Sequence, residues 1–168
     1  LHALPLTRCL IGDLKMKILM VTSEIVPFAK TGGLADAVSA LAITLEKQGH
    51  DVRVVMPRYY KIDRSKLSAI EEPLAVAAGQ VETWVKVYSS TLPNSKVPVY
   101  FIDHEGAFGR DGIYGTKAEP DFHDNPYRSA LLCHGAFQIC RMLGWYPDIM
   151  HAHDWFCSLV PVLLKHVC

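Results

Sequence analysis

The sequence predicts an α/β protein with a parallel sheet at its centre, on three observations. A continuous apolar strand over residues 17–23 runs into a glycine turn, an amphipathic helix runs out of it, and a second apolar strand follows at 51–56. Unbroken apolar strands are those covered on both faces of a sheet. Two such strands joined through one helix form a βαβ unit, parallel with a right-handed crossover. A chain of 168 residues, half of them hydrophobic, suits one domain with a core of its own.

Residues 1–15 start without methionine, carry Pro5 and show no apolar period. They also lack the ordered basic, apolar and small-residue regions of a secretory signal. They are expected to be an extension outside the fold, which then runs over 16–168. In the first helix the apolar residues Leu34, Ala35, Val38, Leu41, Ala42 and Leu45 form one stripe. Gly49 sits just past its end, where a left-handed residue is wanted. Pro57 stops the second strand, and Arg58, Tyr59, Tyr60 and Lys61 read as a solvated loop.

Strand candidates follow at 74–78, 81–88 and 97–103. The middle one alternates Val81, Thr83, Val85 and Val87 with Glu82, Trp84, Lys86 and Tyr88, as a half-exposed or edge strand does. Gly79-Gln80 is short enough for a hairpin turn, and Pro98 places the start of the third strand after itself. Residues 104–124 are polar and rich in glycine, and connections of that length are usually functional or mobile. Asn125-Pro126 reads as an N-cap and first-turn proline, and Gly144 closes the helix between them. A short strand at 148–152 and an apolar segment at 155–167 complete the chain, with Pro161 delaying the regular helix to near Ser158.

Lys+Arg and Asp+Glu both total 17, so the formal charge is zero. Nothing in that balance draws the chain to nucleic acid or to an anionic membrane. No apolar run approaches the roughly 18 residues of a spanning helix. Cys9, Cys133, Cys140, Cys157 and Cys168 are odd in number and form no C-x-x-C pair, which argues against a disulfide framework and for a reducing cytoplasm.

The turn between the first strand and helix holds Lys30, Gly32 and Gly33. The glycines allow close approach to the backbone, the helix N-terminus favours an anion, and Lys30 adds a point charge. It is neither G-x-G-x-x-G nor a P-loop. The residues alone leave open whether it cradles phosphate or is an ordinary turn that uses glycine for geometry. Glu24 and Asp36 flank it; a carboxylate at the end of a buried strand needs a partner or a polar ligand. His151-Ala152-His153-Asp154-Trp155 falls at the carboxyl end of a later strand, on the same sheet edge if the strands are parallel. These residues either converge on a ligand, or one histidine is buried while Asp154 caps the last helix. A zinc site would need further ligands that no cysteine spacing supplies, and no metal is expected. Tyr114 and His123 lie in the long loop, where they either reach a ligand or lie on its surface.

Ser23-Glu24 with Pro27, Lys30-Thr31-Gly32-Gly33-Leu34-Ala35-Asp36, and His151-Ala152-His153-Asp154-Trp155 together resemble the bacterial glycogen synthases and plant starch synthases that use ADP-glucose. The resemblance runs from Met16 to the end and includes Asp124-Asn125. It implies the Rossmann-like N-terminal half of a two-domain, GT-B type glycosyltransferase with a cleft between the halves. Its donor side would hold Lys30, Gly32, Gly33 and Asp36, and its acceptor side Glu24, Tyr114, Asp154 and Trp155. The implied partners are ADP-glucose, a substrate rather than a cofactor, and an α-1,4-glucan. Phe156 departs from the histidine that many members carry after the tryptophan. A V-H-N type strand and a C-terminal domain with the main catalytic groups would follow Cys168, so 1–168 alone is expected to be inactive. The two other readings are a stand-alone nucleotide-binding module and a related transferase using another nucleotide sugar.

Overall fold

The computed structural model describes residues 14–78 and 81–167. Most of the expected extension, the Gly79-Gln80 turn, Cys9 and Cys168 lie outside the described residues. In chain order the elements are β1 (Lys17–Val21), α1 (Leu34–Lys47), β2 (Asp51–Pro57), β3 (Ser68–Ala78), β4 (Val81–Thr91), β5 (Pro98–Asp103), α2 (Glu105–Phe108), α3 (Asn125–Met142), β6 (Ile149–Ala152) and α4 (Leu159–Val167). Two single 3-10 turns, Arg64–Lys66 and Trp155–Cys157, punctuate them.

One six-stranded sheet runs in the order β3-β4-β5-β2-β1-β6. The four strands β5, β2, β1 and β6 are parallel, as the βαβ reading predicts. β4 is antiparallel to both of its neighbours, so the sheet as a whole is mixed. The reason is connection length. Only residues 79–80 separate β3 from β4, and 92–97 separate β4 from β5, too little chain for a crossover.

β3 begins six residues earlier than expected. Glu71-Glu72-Pro73, just before the expected start, falls where the pairing shifts register between Ile70 and Leu74. β3 is the sheet edge, where a proline costs no ladder bond. β4 is therefore an interior strand with one exposed face, and β5 starts on Pro98 rather than after it.

Every residue of β1 from Ile18 to Val21 is buried, as are Val54, Val55 and Met56 of β2, which requires cover on both faces. α1 and α3 supply it. Gly135 lets α3 lie close to the sheet, since a Cβ there would come 2.5 Å from Ile102 Cδ1. Gly49 and Gly144 take φ of +97° and +56° just beyond the ends of α1 and α3, as expected of C′ residues. Pro161 falls in the first turn of α4, where its missing N–H is no loss.

Two local expectations are corrected. Asn125 is the first residue of α3, not its cap; its amide turns back to donate to the Tyr114 carbonyl at 2.8 Å. The segment after β2 is only half solvated. Tyr60 and Lys61 are exposed, but Arg58 and Tyr59 are buried, the first against Asp103 and the second against the Phe108 ring. A guanidinium facing a strand-end carboxylate is held inside by charge pairing that composition does not reveal. The long connection is organised rather than loose. Phe122 is buried within it, its N–H bonds the Tyr114 carbonyl, and Arg128 of α3 donates to the Ala107 carbonyl at 2.7 Å.

Candidate functional site

β1 leads to β2 and β5 on one side and is flanked by β6 on the other, so the strand order reverses at β1. Crevices outside the carboxyl ends of strands at such a reversal are where open α/β sheets bind ligands. Two segments meet there. Residues 22–33 leave β1, and residues 153–157 leave β6 with the His153 N–H bonded to the Val21 carbonyl at 3.0 Å.

The glycine turn is fixed from below by Glu24. This side chain is 2 % exposed, and its Oε1 accepts from Thr31 Oγ1 at 2.7 Å and from the Tyr114 hydroxyl at 2.9 Å. Its Oε2 accepts from the Thr31 N–H. Ser23 Oγ adds a 2.6 Å bond to the same tyrosine hydroxyl. The buried carboxylate is therefore satisfied by its own chain, which meets the requirement that flagged it in the sequence. Burial, aided by the Glu24 charge, pushes the Tyr114 hydroxyl well above the usual tyrosine range, so it stays protonated and able to donate.

Above this brace the backbone is bare. Gly33 has φ −72°, an ordinary helical value, and neither Gly32 nor Gly33 takes a positive φ. A Cβ at either position would meet nothing within 4 Å. The turn's own geometry thus does not demand glycine, and what the missing side chains provide is open space over the peptide. No side chain caps the first turn of α1, which leaves its N–H groups available to an anion. Lys30 Nζ lies 2.6 Å from Asp36 Oδ2, both side chains about half exposed.

The second wall is aromatic. The Tyr114 ring lies 5.5 Å from that of Trp155 and 5.6 Å from that of Phe156. Trp155 is 49 % exposed while Phe156 is fully buried, so the departure at 156 falls on a core position. Asp154 takes φ 66° and ψ 174°, a region almost confined to glycine, and accepts a 2.7 Å bond from the Trp155 N–H. Strain of this kind, about 1–3 kcal/mol, persists where surrounding structure holds a residue for function.

His153 stands beside this wall with Nε2 buried and unpartnered among the described residues, its ring 4.1 Å from His151. Burial, with a smaller effect of His151, pushes its pKa down from 6.5 to about 4. Between those values the unfolded chain binds the proton and the folded protein does not, so stability falls as the pH drops through that window. His153→Gln is expected to flatten the pH dependence of urea unfolding there. An unaltered slope would remove His153 as its source.

All eight residues predicted for the site lie on these two walls, and Glu24 joins them through Thr31 and Tyr114. His123 does not take part; it is exposed and bonded to Glu119. Sequence reasoning missed Thr31, although a hydroxyl next to the glycines was the available signal. Among the described residues no group of three His, Cys, Asp or Glu side chains is placed to hold a metal. Cys133 and Cys157 are buried thiols, and no helix there is long and apolar enough to cross a membrane.

The family model for the starch synthase catalytic domain matches residues 17–168. The chain belongs to that family. Among curated starch synthase relatives, the glycogen synthase of Treponema denticola is 66 % identical over 150 residues, covering 89 % of this chain and 30 % of its own length. Glycogen synthase 1 of Geobacter metallireducens is 46 % identical over 154 residues, again 90 % of this chain and 30 % of the relative. The catalytic domain of starch synthase IV from Arabidopsis thaliana, solved bound to ADP and acarbose, superposes with a TM-score of 0.79 at 26 % identity over 91 % of this chain and 31 % of that one. The starch synthase-family chain therefore spans about three-tenths of the length of the relatives it matches.

Proposed function

We propose that residues 16–168 are the N-terminal, donor-loop part of a cytoplasmic synthase that moves glucose from ADP-glucose to the non-reducing end of an α-1,4-glucan, with retention. The observation that carries this is the bare Gly32-Gly33 backbone at the head of α1, beside Lys30 and linked through Thr31, Glu24 and Tyr114 to the half-exposed Trp155 ring after β6. The donor diphosphate takes the helix N-terminus and the Lys30 ammonium, both of which stabilise its charge. The glucan lies against Trp155 and Asp154, and Tyr114 and Glu24 hold that wall in register with the donor loop. That the Arabidopsis relative was solved with ADP and acarbose, an oligosaccharide analogue, supports both halves of the assignment.

Charge stabilisation of a leaving diphosphate needs several preorganised groups, and one lysine with one helix end is a fraction of them. The remaining groups belong to the portion of the relatives that these residues do not span. In the complete enzyme, Lys30→Ala is expected to raise the apparent KM for ADP-glucose by about tenfold, the loss of one charged contact, and to leave the glucan KM within twofold. In the same assay the 168 residues alone should transfer no glucose above background. Unchanged donor kinetics in Lys30→Ala, or robust transfer by the 168 residues, would overturn the reading.

A further inference from the structure

Arg128, in the first half of α3, is a charged side chain with no exposed surface. Among the described residues no carboxylate pairs with it. Asp124, an acid that acts on its charge, is bonded to Arg110 instead. A buried guanidinium without a counter-ion carries a desolvation cost that packing alone does not offset. Its contacts therefore show what keeps it inside.

Two hydrogen bonds go to the two ends of the long connection. Nε donates to the Ala107 carbonyl in α2 at 2.7 Å, and Nη1 donates to Asn125 Oδ1 at the head of α3 at 2.5 Å. Nη2 has no partner among the described residues. The Asn125 amide passes the first anchor on, since it donates to the Tyr114 carbonyl midway along the connection. The other contacts are aromatic. The guanidinium lies 5.1 Å from the Phe122 ring and 5.6 Å from the Phe156 ring, within range of a cation–π attraction. Phe156 stands edge-on to both Tyr114 and Trp155, at 5.6 and 5.2 Å. Arg128 thus bears on the aromatic wall by two routes, through the Tyr114 backbone and through the Phe156 ring. The glycine turn keeps its own anchors, the two bonds from Thr31 to Glu24, whatever happens at Arg128.

We propose that Arg128 is a positioning residue for the aromatic wall, closing the 104–124 connection at both ends and setting where Tyr114 and Trp155 stand without touching a ligand itself. The planar fork suits that task, because its donors hold Ala107 and Asn125 in fixed relative directions. The inference takes from the function proposed above only that this wall meets a glucan.

The test is steady-state kinetics of the complete enzyme with ADP-glucose and a glucan primer, each variant assayed well below its own Tm. The variants are Arg128→Met, Asn125→Ala and Leu132→Ala. Leu132 is fully buried on the same helix and takes part in none of these bonds, so its variant reports destabilisation alone. Arg128→Met and Asn125→Ala are expected to raise the glucan KM at least about tenfold, as misplacement of a binding wall does. The ADP-glucose KM should stay within about twofold, and Leu132→Ala should lower Tm while moving neither KM. An equal rise in both KM values, an unchanged glucan KM in Asn125→Ala, or a matching rise in Leu132→Ala would each overturn the proposal. If Arg128→Met fails to fold, Asn125→Ala against Leu132→Ala decides it. The acceptor reading of the wall fails by a different result, a Trp155→Ala enzyme with the wild-type glucan KM.

Discussion

Asp103→Ala should lower the stability of the chain by about 3–5 kcal/mol, the usual cost of breaking a buried ion pair from one side. The Asp103 side chain is 4 % exposed and receives Arg58 Nε at 2.8 Å and Arg58 Nη2 at 2.7 Å. Arg64 adds bonds of 2.8 and 3.1 Å from the solvent side. Without the carboxylate, the Arg58 guanidinium stays in an interior it cannot leave. It keeps only the Tyr59 carbonyl at 3.2 Å and the exposed Glu105 at 3.1 Å. The measurement is urea unfolding at constant m-value. A loss under about 1 kcal/mol would mean that Glu105 or water replaces the aspartate, in contrast to the burial argument.

Glu24→Ala is expected to cost about 2–4 kcal/mol, since charge-assisted bonds to a buried carboxylate are worth about 1.5–3 kcal/mol and three donors are left without it. The structural consequence is more specific than the energy. Thr31 loses both of its anchors and Tyr114 one of two, so the glycine turn and the aromatic wall come apart together. Thr31→Val and Tyr114→Phe each remove one arm. A double-mutant cycle with Glu24→Gln should give a coupling of about 0.5–3 kcal/mol for each pair. Additivity within 0.3 kcal/mol would show that the arms act independently.

The central strands were legible because their signal is local: apolar runs of the right length, bounded by glycine and proline. The same signal led the sequence reading to a shortened β3, since Pro73 breaks the pattern at a position where an edge bulge accommodates it. The site was legible for a related reason. Glu24 stood out as a charge at the end of a buried strand, and the structure supplies its partners. Asp103 carries that same mark at the end of β5 and was passed over, because its partner Arg58 looked like part of a solvated loop. Long-range pairs of this kind, 45 residues apart in the chain, leave no periodicity to read. The three motifs hold seven of the eight candidate residues, with Tyr114 in the long connection, but they do not show the brace among them, since Thr31 reaches Glu24 only through the fold of the turn.

The 2.6 Å contact between Lys30 and Asp36 gives the lysine of the turn a partner of its own. Asp36 is a built-in competitor: a ligand oxygen that reaches the ammonium must displace a carboxylate already there. A ligand carrying a single negative charge exchanges like for like at that nitrogen. A ligand carrying two or more, and able to reach the α1 N–H groups at the same time, gains more than it displaces. With both side chains about half exposed, that competition is worth no more than about 1 kcal/mol, so the aspartate holds the lysine in place without barring a ligand from it.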